Sequence, residues 1–294
     1  MEIIIGCEGG AWAYKIIDYL LNKLHPGIKI TYKNDDTCKF IIKGHGNKPH
    51  PIWNDKKKKY IYFSGESYIP SKSKFETEGL YIITTINNNL NSIYYPYVLN
   101  SPYLYKERKY INNDRKYLLA YCSKNGVKLR QEIFNLFVEK TSSELCHSLS
   151  SCCGKYPNTK KPRVKGQWND IALIEAYKDY KFVIAMENKY HNGYVTEKIL
   201  NAFYSGAIPI YWGSSKADEF FNKNAFINVS DFNSLDECVE HVINMDEIKI
   251  KEMLKEPIYN EKNDLINLMN DNYNNNNDNI ILKEYLHKLK LFLD

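Results

Sequence analysis

The sequence predicts an α/β protein made of two successive β/α domains, each with a parallel sheet. Its 294 residues are enough for about two domains of ordinary size. Short apolar runs typical of strands alternate with segments of helical spacing, and this order favours parallel sheets covered by helices. A second series of the same kind begins near Arg115, and we therefore expect a domain on either side of that point.

The composition excludes several classes of protein. Apolar residues make up 44% and charged residues 26% of the chain, as in globular proteins and unlike disordered ones. The net charge of +5 is small and dispersed, and so does not indicate a nucleic-acid partner. The sequence contains no apolar run of about 20 residues that could span a bilayer, and it begins without the features of a signal peptide. We expect a soluble, cytoplasmic protein.

Cysteine and tyrosine are the two residue types that could suggest special chemistry. The 7 cysteines have no Cys-x-x-Cys spacing, which fits reduced thiols and no zinc site. The 25 tyrosines could form a surface on which sugars or bases stack. They could equally reflect a codon bias toward Lys, Asn, Ile and Tyr, and their even spread along the chain favours this second interpretation.

The first domain is predicted from five strands and a helix that follows the first of them. The helix, Ala11–Leu24, has its apolar residues at helical spacing and is stopped by Pro26-Gly27. The predicted strands are Glu2–Gly6, Ile28–Tyr32, Phe40–Ile42, Tyr60–Phe63 and Leu80–Thr84.

The second domain is predicted from three strands and three helices. Phe182–Ala185 is an uninterrupted apolar run, as expected for a strand covered on both faces. The other predicted elements are strands Tyr117–Tyr121 and Ala207–Gly213 and helices Val127–Val138, Val195–Tyr204 and Leu235–Asn244.

The C-terminal part of the chain is predicted to be a linker and a helix. Asp271–Asn279 is rich in Asn and reads as a low-complexity linker, and Ile280–Leu293 is amphipathic. This helix could pack back on the first domain or bind a membrane surface peripherally through Lys283, Lys288 and Lys290. The predicted division of the chain is 1–115, 116–270 and 271–294.

Polar residues concentrate at the end of the apolar strand Phe182–Ala185. Ligands of parallel sheets bind outside the C-terminal ends of the strands, and the start of the helix Val195–Tyr204 favours an anion through its dipole and free N–H groups. Lys198 adds a point charge suited to phosphate, and Glu197 could accept hydrogen bonds from two ribose hydroxyls. An ordinary helix start with a Thr cap explains the pattern equally well. The phosphate-binding glycine motifs of dinucleotide enzymes and phosphate-loop NTPases are absent from the sequence.

Three ordered segments of this region resemble the signature of the α-1,3/4-fucosyltransferases, glycosyltransferase family 10. They are Phe182–Asn188, Gly193–Ala202 and Gly206–Gly213, and Phe226–Phe232 is similar to that family as well. The resemblance extends from about Tyr117 to Asn260 and is weak in the N-terminal third. It implies a GT-B type fold, with two Rossmann-like β/α/β domains, a cleft between them, and GDP-fucose held mainly by the C-terminal, donor-binding domain. The N-terminal domain would then be on the acceptor side.

The resemblance also implies which residues bind the donor. Asn188, Tyr194, Glu197 and Lys198 fall at the donor-binding positions of the family. Arg130 matches the arginine that pairs with the diphosphate, a task suited to a guanidinium because its fork can bind two phosphate oxygens. For Arg130 taken alone, a surface charge on a helix is the alternative.

Glu66 is the predicted catalytic base. It follows the strand Tyr60–Phe63 in a Gly-Glu pair similar to that of the family, although a turn carboxylate is the alternative in so short a segment. The reaction implied is inverting transfer of L-fucose from GDP-fucose to a hydroxyl of an oligosaccharide or glycoconjugate acceptor, α-1,3 to GlcNAc or glucose. Arg130 and Lys198 would stabilise the GDP leaving group. We expect no required metal or cofactor, with stimulation by a divalent cation left open.

The sequence departs from the family in a few respects. Met186 stands where an aromatic residue usually precedes the Glu-Asn pair, and the membrane anchor and stem of the animal enzymes are not found. Two rival functions remain open. One is a GT-B transferase that uses another nucleotide sugar, and the other is a non-catalytic protein that binds nucleotide sugars or glycans.

Overall fold

The chain folds into two α/β units. The computed structural model describes residues 2–8, 11–44, 58–66, 79–86, 91–110, 114–166, 169–261, 263–271 and 279–294. Unit 1 consists of Met1–Asn100, His191–Tyr194 and Lys262–Asp294, and unit 2 of Ser101–Tyr190 and Val195–Glu261. The linker prediction for Asp271–Asn279 lies mostly outside the described residues.

Unit 1 contains a six-stranded sheet in the order β2-β1-β3-β4-β5-β6, in which all neighbouring strands are parallel. Its strands are β1 (Glu2–Glu8), β2 (Lys29–Tyr32), β3 (Phe40–Gly44), β4 (Lys59–Ser64), β5 (Gly79–Ile83) and β6 (Ser92–Tyr94). Helix α1 (Ala11–Leu24) buries its apolar stripe completely through Ile16, Ile17, Leu20 and Leu21. The predicted strands and helix of this domain are therefore confirmed, while β6 was not predicted.

The C-terminal helix belongs to unit 1. We label it α8 (Ile280–Leu293); it contacts α1 and β5. Its apolar face, formed by Leu282, Tyr285 and Leu289, is buried. The Tyr285 hydroxyl donates to the Tyr94 carbonyl, and Lys288 Nζ donates to the Ser92 carbonyl at 2.8 Å. Of the two alternatives for this helix, the structure shows packing on the first domain, and Lys288 is used inside the unit.

Unit 2 contains a five-stranded parallel sheet in the order β11-β10-β9-β7-β8. Its strands are β7 (Tyr117–Tyr121), β8 (Cys146–Ser148), β9 (Tyr180–Ile184), β10 (Ile208–Tyr211) and β11 (Ile227–Asn228). Its helices are α2 (Lys128–Lys140), α3 (Ile171–Tyr177), α4 (Lys198–Tyr204), α5 (Ala217–Phe220), α6 (Leu235–Ile243) and α7 (Glu247–Lys255). Strand β9 is the middle strand, and Phe182 and Val183 are fully buried because both faces are covered.

The boundary between the units lies nearer residue 101 than the predicted residue 116. The segment directly before residue 116 belongs to unit 2, to which it is hydrogen-bonded. The Arg115 guanidinium donates to the carbonyls of Tyr110, Tyr180 and Ser205 at 2.8, 2.9 and 3.0 Å. Gly206 permits this approach: its φ is +73°, and a Cβ there would lie 1.7 Å from the Tyr110 carbonyl oxygen.

All seven cysteines are free thiols in the structure. Among the described residues, no helix is both long and apolar enough to cross a bilayer.

Candidate active site

The site is built around the C-terminal end of β9. Beyond the strand, the Ala185 N–H donates to the Ile210 carbonyl at 2.8 Å, and the Glu187 N–H donates to the Trp212 carbonyl at 2.7 Å. The main chain is therefore fixed past the formal end of the strand. This fixes Glu187 at the edge of the sheet where parallel α/β folds bind ligands.

The Glu187 side chain is fully buried and accepts three hydrogen bonds. Its Oε1 accepts the Thr196 backbone N–H at 2.7 Å, and its Oε2 accepts the Thr196 hydroxyl at 2.9 Å and Lys198 Nζ at 3.0 Å. A buried carboxylate requires such donors, because an unpaired buried charge is costly. These bonds join the end of β9 to the start of α4.

This arrangement corrects the prediction for the start of the helix. The helix expected from Val195 begins at Lys198, and Glu197 is its N-cap residue without a side-chain capping bond. The Thr196 N–H and hydroxyl, instead of being available to an external anion or serving as a cap, bind the protein's own Glu187 carboxylate. The anion predicted at the start of this helix is thus in part the protein's own Glu187 carboxylate.

Lys198 lies between two carboxylates. Its Nζ is 3.0 Å from Glu187 Oε2 and 3.9 Å from Glu197 Oε1, and it also donates to the Thr196 hydroxyl at 2.8 Å. The Lys198 side chain remains 27% exposed, so its ammonium can still meet a ligand.

Glu197 is nearly buried, with 7% of the residue exposed. Burial raises the pKa of its carboxyl group, the Lys198 ammonium opposes that rise, and the neighbouring Glu187 carboxylate adds to it. Hydrogen bonds to the carboxyl group also oppose the rise, and hydroxyl groups of a ligand would add further donors.

Arg130 reaches the same strand end from α2. Its guanidinium is 3% exposed and donates to Ser123 Oγ at 3.2 Å and to the Met186 carbonyl. The surface-charge alternative for Arg130 is therefore wrong. Met186 is itself buried in the apolar core of unit 2. Methionine in place of the family's usual aromatic residue therefore still packs in the core, and the Met186 carbonyl accepts a hydrogen bond from Arg130.

Asn188 follows Glu187 directly and is half-buried. Tyr194 is buried, but it falls in unit 1 with the segment His191–Tyr194. That segment is held by the Ile86 N–H, which donates to the Asn192 carbonyl at 2.8 Å, and by the Tyr94 hydroxyl, which donates to the Gly193 carbonyl at 2.6 Å.

Glu66 follows β4, a central strand of unit 1, and is exposed. Its backbone is held on both sides: its N–H donates to Ser64 Oγ at 3.4 Å, and its carbonyl accepts the Thr84 hydroxyl at 3.0 Å. The carboxylate is thus presented to solvent from a fixed main chain at the C-terminal end of a parallel strand.

The structure therefore brings together Arg130, Glu197 and Lys198 around residues 186–188 in unit 2, with Asn188 in sequence beside them. Glu66 and Tyr194 belong to unit 1. Sequence reasoning missed the part played by Glu187; an acidic residue directly after a fully apolar strand was the available signal. Over the described parts of the chain, no cluster of three or more His, Cys, Asp and Glu could hold a metal ion.

Comparison with known proteins identifies what unit 2 resembles. Residues 139–253 match the family profile described as glycosyltransferase family 10 (fucosyltransferase) C-term. A putative fucosyltransferase of Acanthamoeba polyphaga mimivirus is 33% identical over 179 residues, which is 57% of this chain and 29% of that protein. The Helicobacter pylori alpha-(1,3)-fucosyltransferase FucT is 46% identical over 68 residues, 23% of this chain and 14% of that protein. The chain thus spans less than a third of the length of either relative.

The fold is shared with solved structures. A crystal structure of an alpha1,3-fucosyltransferase with GDP-fucose has a TM-score of 0.68 at 18% identity, covering 100% of this chain and 90% of the other. This similarity, together with the two parallel sheets, confirms the predicted α/β fold of GT-B type.

Proposed function

We propose that the chain is a member of glycosyltransferase family 10, whose profile its residues 139–253 match, and that it transfers L-fucose from GDP-fucose to a hydroxyl of an acceptor glycan. The family match carries the proposal, because it contains Glu197, Lys198 and the strand end from which they are organised. The structures of the alpha1,3-fucosyltransferase with GDP-fucose support GDP-fucose as the donor.

The geometry of unit 2 supports a role in holding a nucleoside diphosphate. Two cationic side chains, Arg130 and Lys198, converge on consecutive residues, since Arg130 binds the Met186 carbonyl and Lys198 binds the Glu187 carboxylate. In the proposed reaction both cations stabilise the negative charge that develops on the departing GDP. Glu197, buried and with a raised carboxyl pKa, accepts hydrogen bonds from the vicinal ribose hydroxyls, and Asn188 and Tyr194 complete the donor contacts.

The proposed chemistry is a single displacement. The acceptor oxygen forms a bond to C1 of fucose as the bond from C1 to the diphosphate oxygen breaks, so that the configuration at C1 is inverted. Glu66 takes the hydroxyl proton, a role for which an exposed carboxylate on a fixed backbone is suited. The proposed acceptor is an oligosaccharide or glycoconjugate fucosylated α-1,3 on GlcNAc or glucose, and the name of the H. pylori relative supports that linkage.

Calorimetric titration with GDP-fucose, GDP-mannose and UDP-sugars tests the donor. We expect the tightest binding for GDP-fucose; a preference for a UDP-sugar would favour a transferase with another donor. A screen of acceptors with labelled GDP-fucose then tests transfer. Donor binding without transfer to any acceptor would favour a non-catalytic binding protein.

The proposal also includes that Arg130 and Lys198 replace a metal ion. Transfer measured in EDTA should therefore equal that measured in buffer alone to within about twofold, and added Mg²⁺ or Mn²⁺ should do no more than stimulate. Loss of transfer in EDTA that a divalent ion restores would contradict this part of the proposal.

A further inference from the structure

We propose that Glu187 is a positioning residue, which fixes the ammonium of Lys198 for the diphosphate of the donor without touching the donor itself. This inference rests on the proposed function, since it assigns Glu187 a task in GDP recognition.

Glu187 is completely buried at the end of β9. None of its surface is exposed, so the side chain cannot reach a ligand in solution. Its backbone N–H is bonded to the Trp212 carbonyl at 2.7 Å, and its side chain packs closely against Gly213, where a Cβ would lie 2.8 Å from Glu187 Cγ. The carboxylate is therefore a rigid acceptor.

The hydrogen bonds around Glu187 orient the protons of Thr196 and Lys198. The Thr196 hydroxyl donates its one proton to Glu187 Oε2 and accepts a proton from Lys198 Nζ. Lys198 Nζ also donates directly to Oε2. Two of the three ammonium protons are thus directed to fixed partners, and the nearest further acceptor, Glu197 Oε1, lies 3.9 Å from Nζ.

Lysine has a flexible side chain. A Lys ammonium is a point charge on a four-carbon stem whose rotamers are costly to fix. Glu187 and Thr196 hold that charge before any ligand binds, so less entropy is lost when GDP arrives. The 27% exposure of the Lys198 side chain leaves it accessible.

The substitution Glu187→Gln tests the inference because Gln keeps the shape and loses acceptors. A carboxylate offers acceptors on both oxygens, whereas the amide nitrogen of Gln is a donor. In the variant that nitrogen must face either the Thr196 N–H or Lys198 Nζ, both of which are donors. We expect Lys198 to lose its fixed position.

The experiment is a double-mutant cycle on binding of GDP, with guanosine as a second probe that lacks phosphates. Glu187→Gln should weaken GDP binding about tenfold, which lies within the range of coupling between contacting residues. The same substitution should change guanosine binding less than twofold. In a Lys198→Ala background the same substitution should change GDP binding less than twofold. Glu252→Gln, on α7 with a 60% exposed side chain, is the matched control and should leave both affinities unchanged.

A merely structural role predicts a different result. If Glu187→Gln weakens GDP binding equally in both backgrounds, or weakens guanosine as much as GDP, the positioning role is overturned. If that variant does not fold, Thr196→Val serves instead, because it removes the hydroxyl between Glu187 and Lys198 but keeps the shape. A several-fold loss of GDP affinity that disappears in the Lys198→Ala background supports the inference, and an equal loss in both overturns it.

The same titrations separate this inference from the proposed function. If the unsubstituted chain binds no GDP, both are overturned. If it binds GDP and the effects of the two substitutions add, only the positioning role of Glu187 is overturned.

Discussion

Glu66 in unit 1 and Glu187 in unit 2 occupy similar places in their sheets, yet they differ in exposure and in the hydrogen bonds that hold them. Each follows a central parallel strand at its C-terminal end. Glu66 is exposed and is held through its backbone, whereas Glu187 is fully buried and accepts three hydrogen bonds through its carboxylate. The position at a strand end is thus shared, but exposure leaves the Glu66 carboxylate accessible to a ligand, whereas the buried Glu187 carboxylate organises other residues of unit 2.

The largest expected effect is that of Glu66→Gln. If the exposed carboxylate is the general base, the turnover number for fucose transfer should fall by roughly 10² to 10⁴, the usual contribution of proton transfer. Affinity for GDP should stay within about twofold, because Glu66 takes no part in donor binding in the proposal. Initial rates with labelled GDP-fucose and calorimetry with GDP measure the two quantities.

Thermal unfolding provides the control for this variant. Exposed side chains change stability little, by about 0.5 kcal/mol or less, so the melting temperature should be unchanged. Full activity of Glu66→Gln would assign the base to another residue.

Lys198→Ala should have the next largest effect, on binding rather than turnover. A hydrogen bond from a charged group contributes roughly 1.5 to 3 kcal/mol, so the affinity for GDP should fall by about 10- to 100-fold. Guanosine, which carries no phosphate, should bind as before. Lys189→Ala is the matched control, because Lys189 is an exposed lysine shortly before it in the chain without an assigned role. Unchanged GDP affinity in Lys198→Ala would remove Lys198 from the donor site.

The difference between the two carboxylates also marks what a sequence can predict. The strands that hold them were predicted because apolar runs such as Phe182–Ala185 reveal burial directly. The short strands β6, β8 and β11, of three, three and two residues, were missed because so few residues establish no period. Helix α7 was missed as well; it exposes Ile248 to 70% while burying Ile250 and Met253, which blurs its apolar stripe.

The site was predicted unevenly for a physical reason. Glu197 and Lys198 stand beside each other in a recognisable motif. The hydrogen bonds of Glu187 connect residues nine and eleven positions apart, and such contacts depend on where the chain returns to the sheet. The start of α4 was misplaced for the same reason, because Thr196 is held by Glu187 and not by the helix.

His147 is another buried titratable residue, and the smallest expected effect concerns its pKa. Its hydrogen-bond partner is the neutral Tyr180 hydroxyl. His147 lies in β8 with 1% exposure, and its Nδ1 is 2.9 Å from the Tyr180 hydroxyl. Burial, with further contributions from Lys161 and Lys116, lowers the His147 pKa from 6.5 to about 4. The unfolded chain therefore binds more protons between these pH values. The stabilisation is complete above pH 6.5 and is lost as the pH falls toward 4, a loss of about 3 kcal/mol at most.

Urea unfolding at pH 7 and pH 4.5 measures this contribution. His147→Phe should lose less stability than the unsubstituted chain between the two pH values, because Phe does not bind a proton. His25→Gln, a histidine substitution at an exposed position, is the control variant. An equal loss in His147→Phe would show that His147 is protonated in the folded state as readily as in the unfolded one.

Unit 1 is assembled from segments near both ends of the sequence and one short segment from the middle, and this has a consequence for biosynthesis. A chain emerging from the ribosome exposes β1 to β6 long before the residues that complete their unit. The apolar surface that Leu282, Tyr285 and Leu289 cover stays open until α8 has been translated. Unit 2, which lies almost entirely within one stretch of the chain, has all its residues available earlier. We therefore expect unit 2 to reach its native packing first, while unit 1 waits for α8.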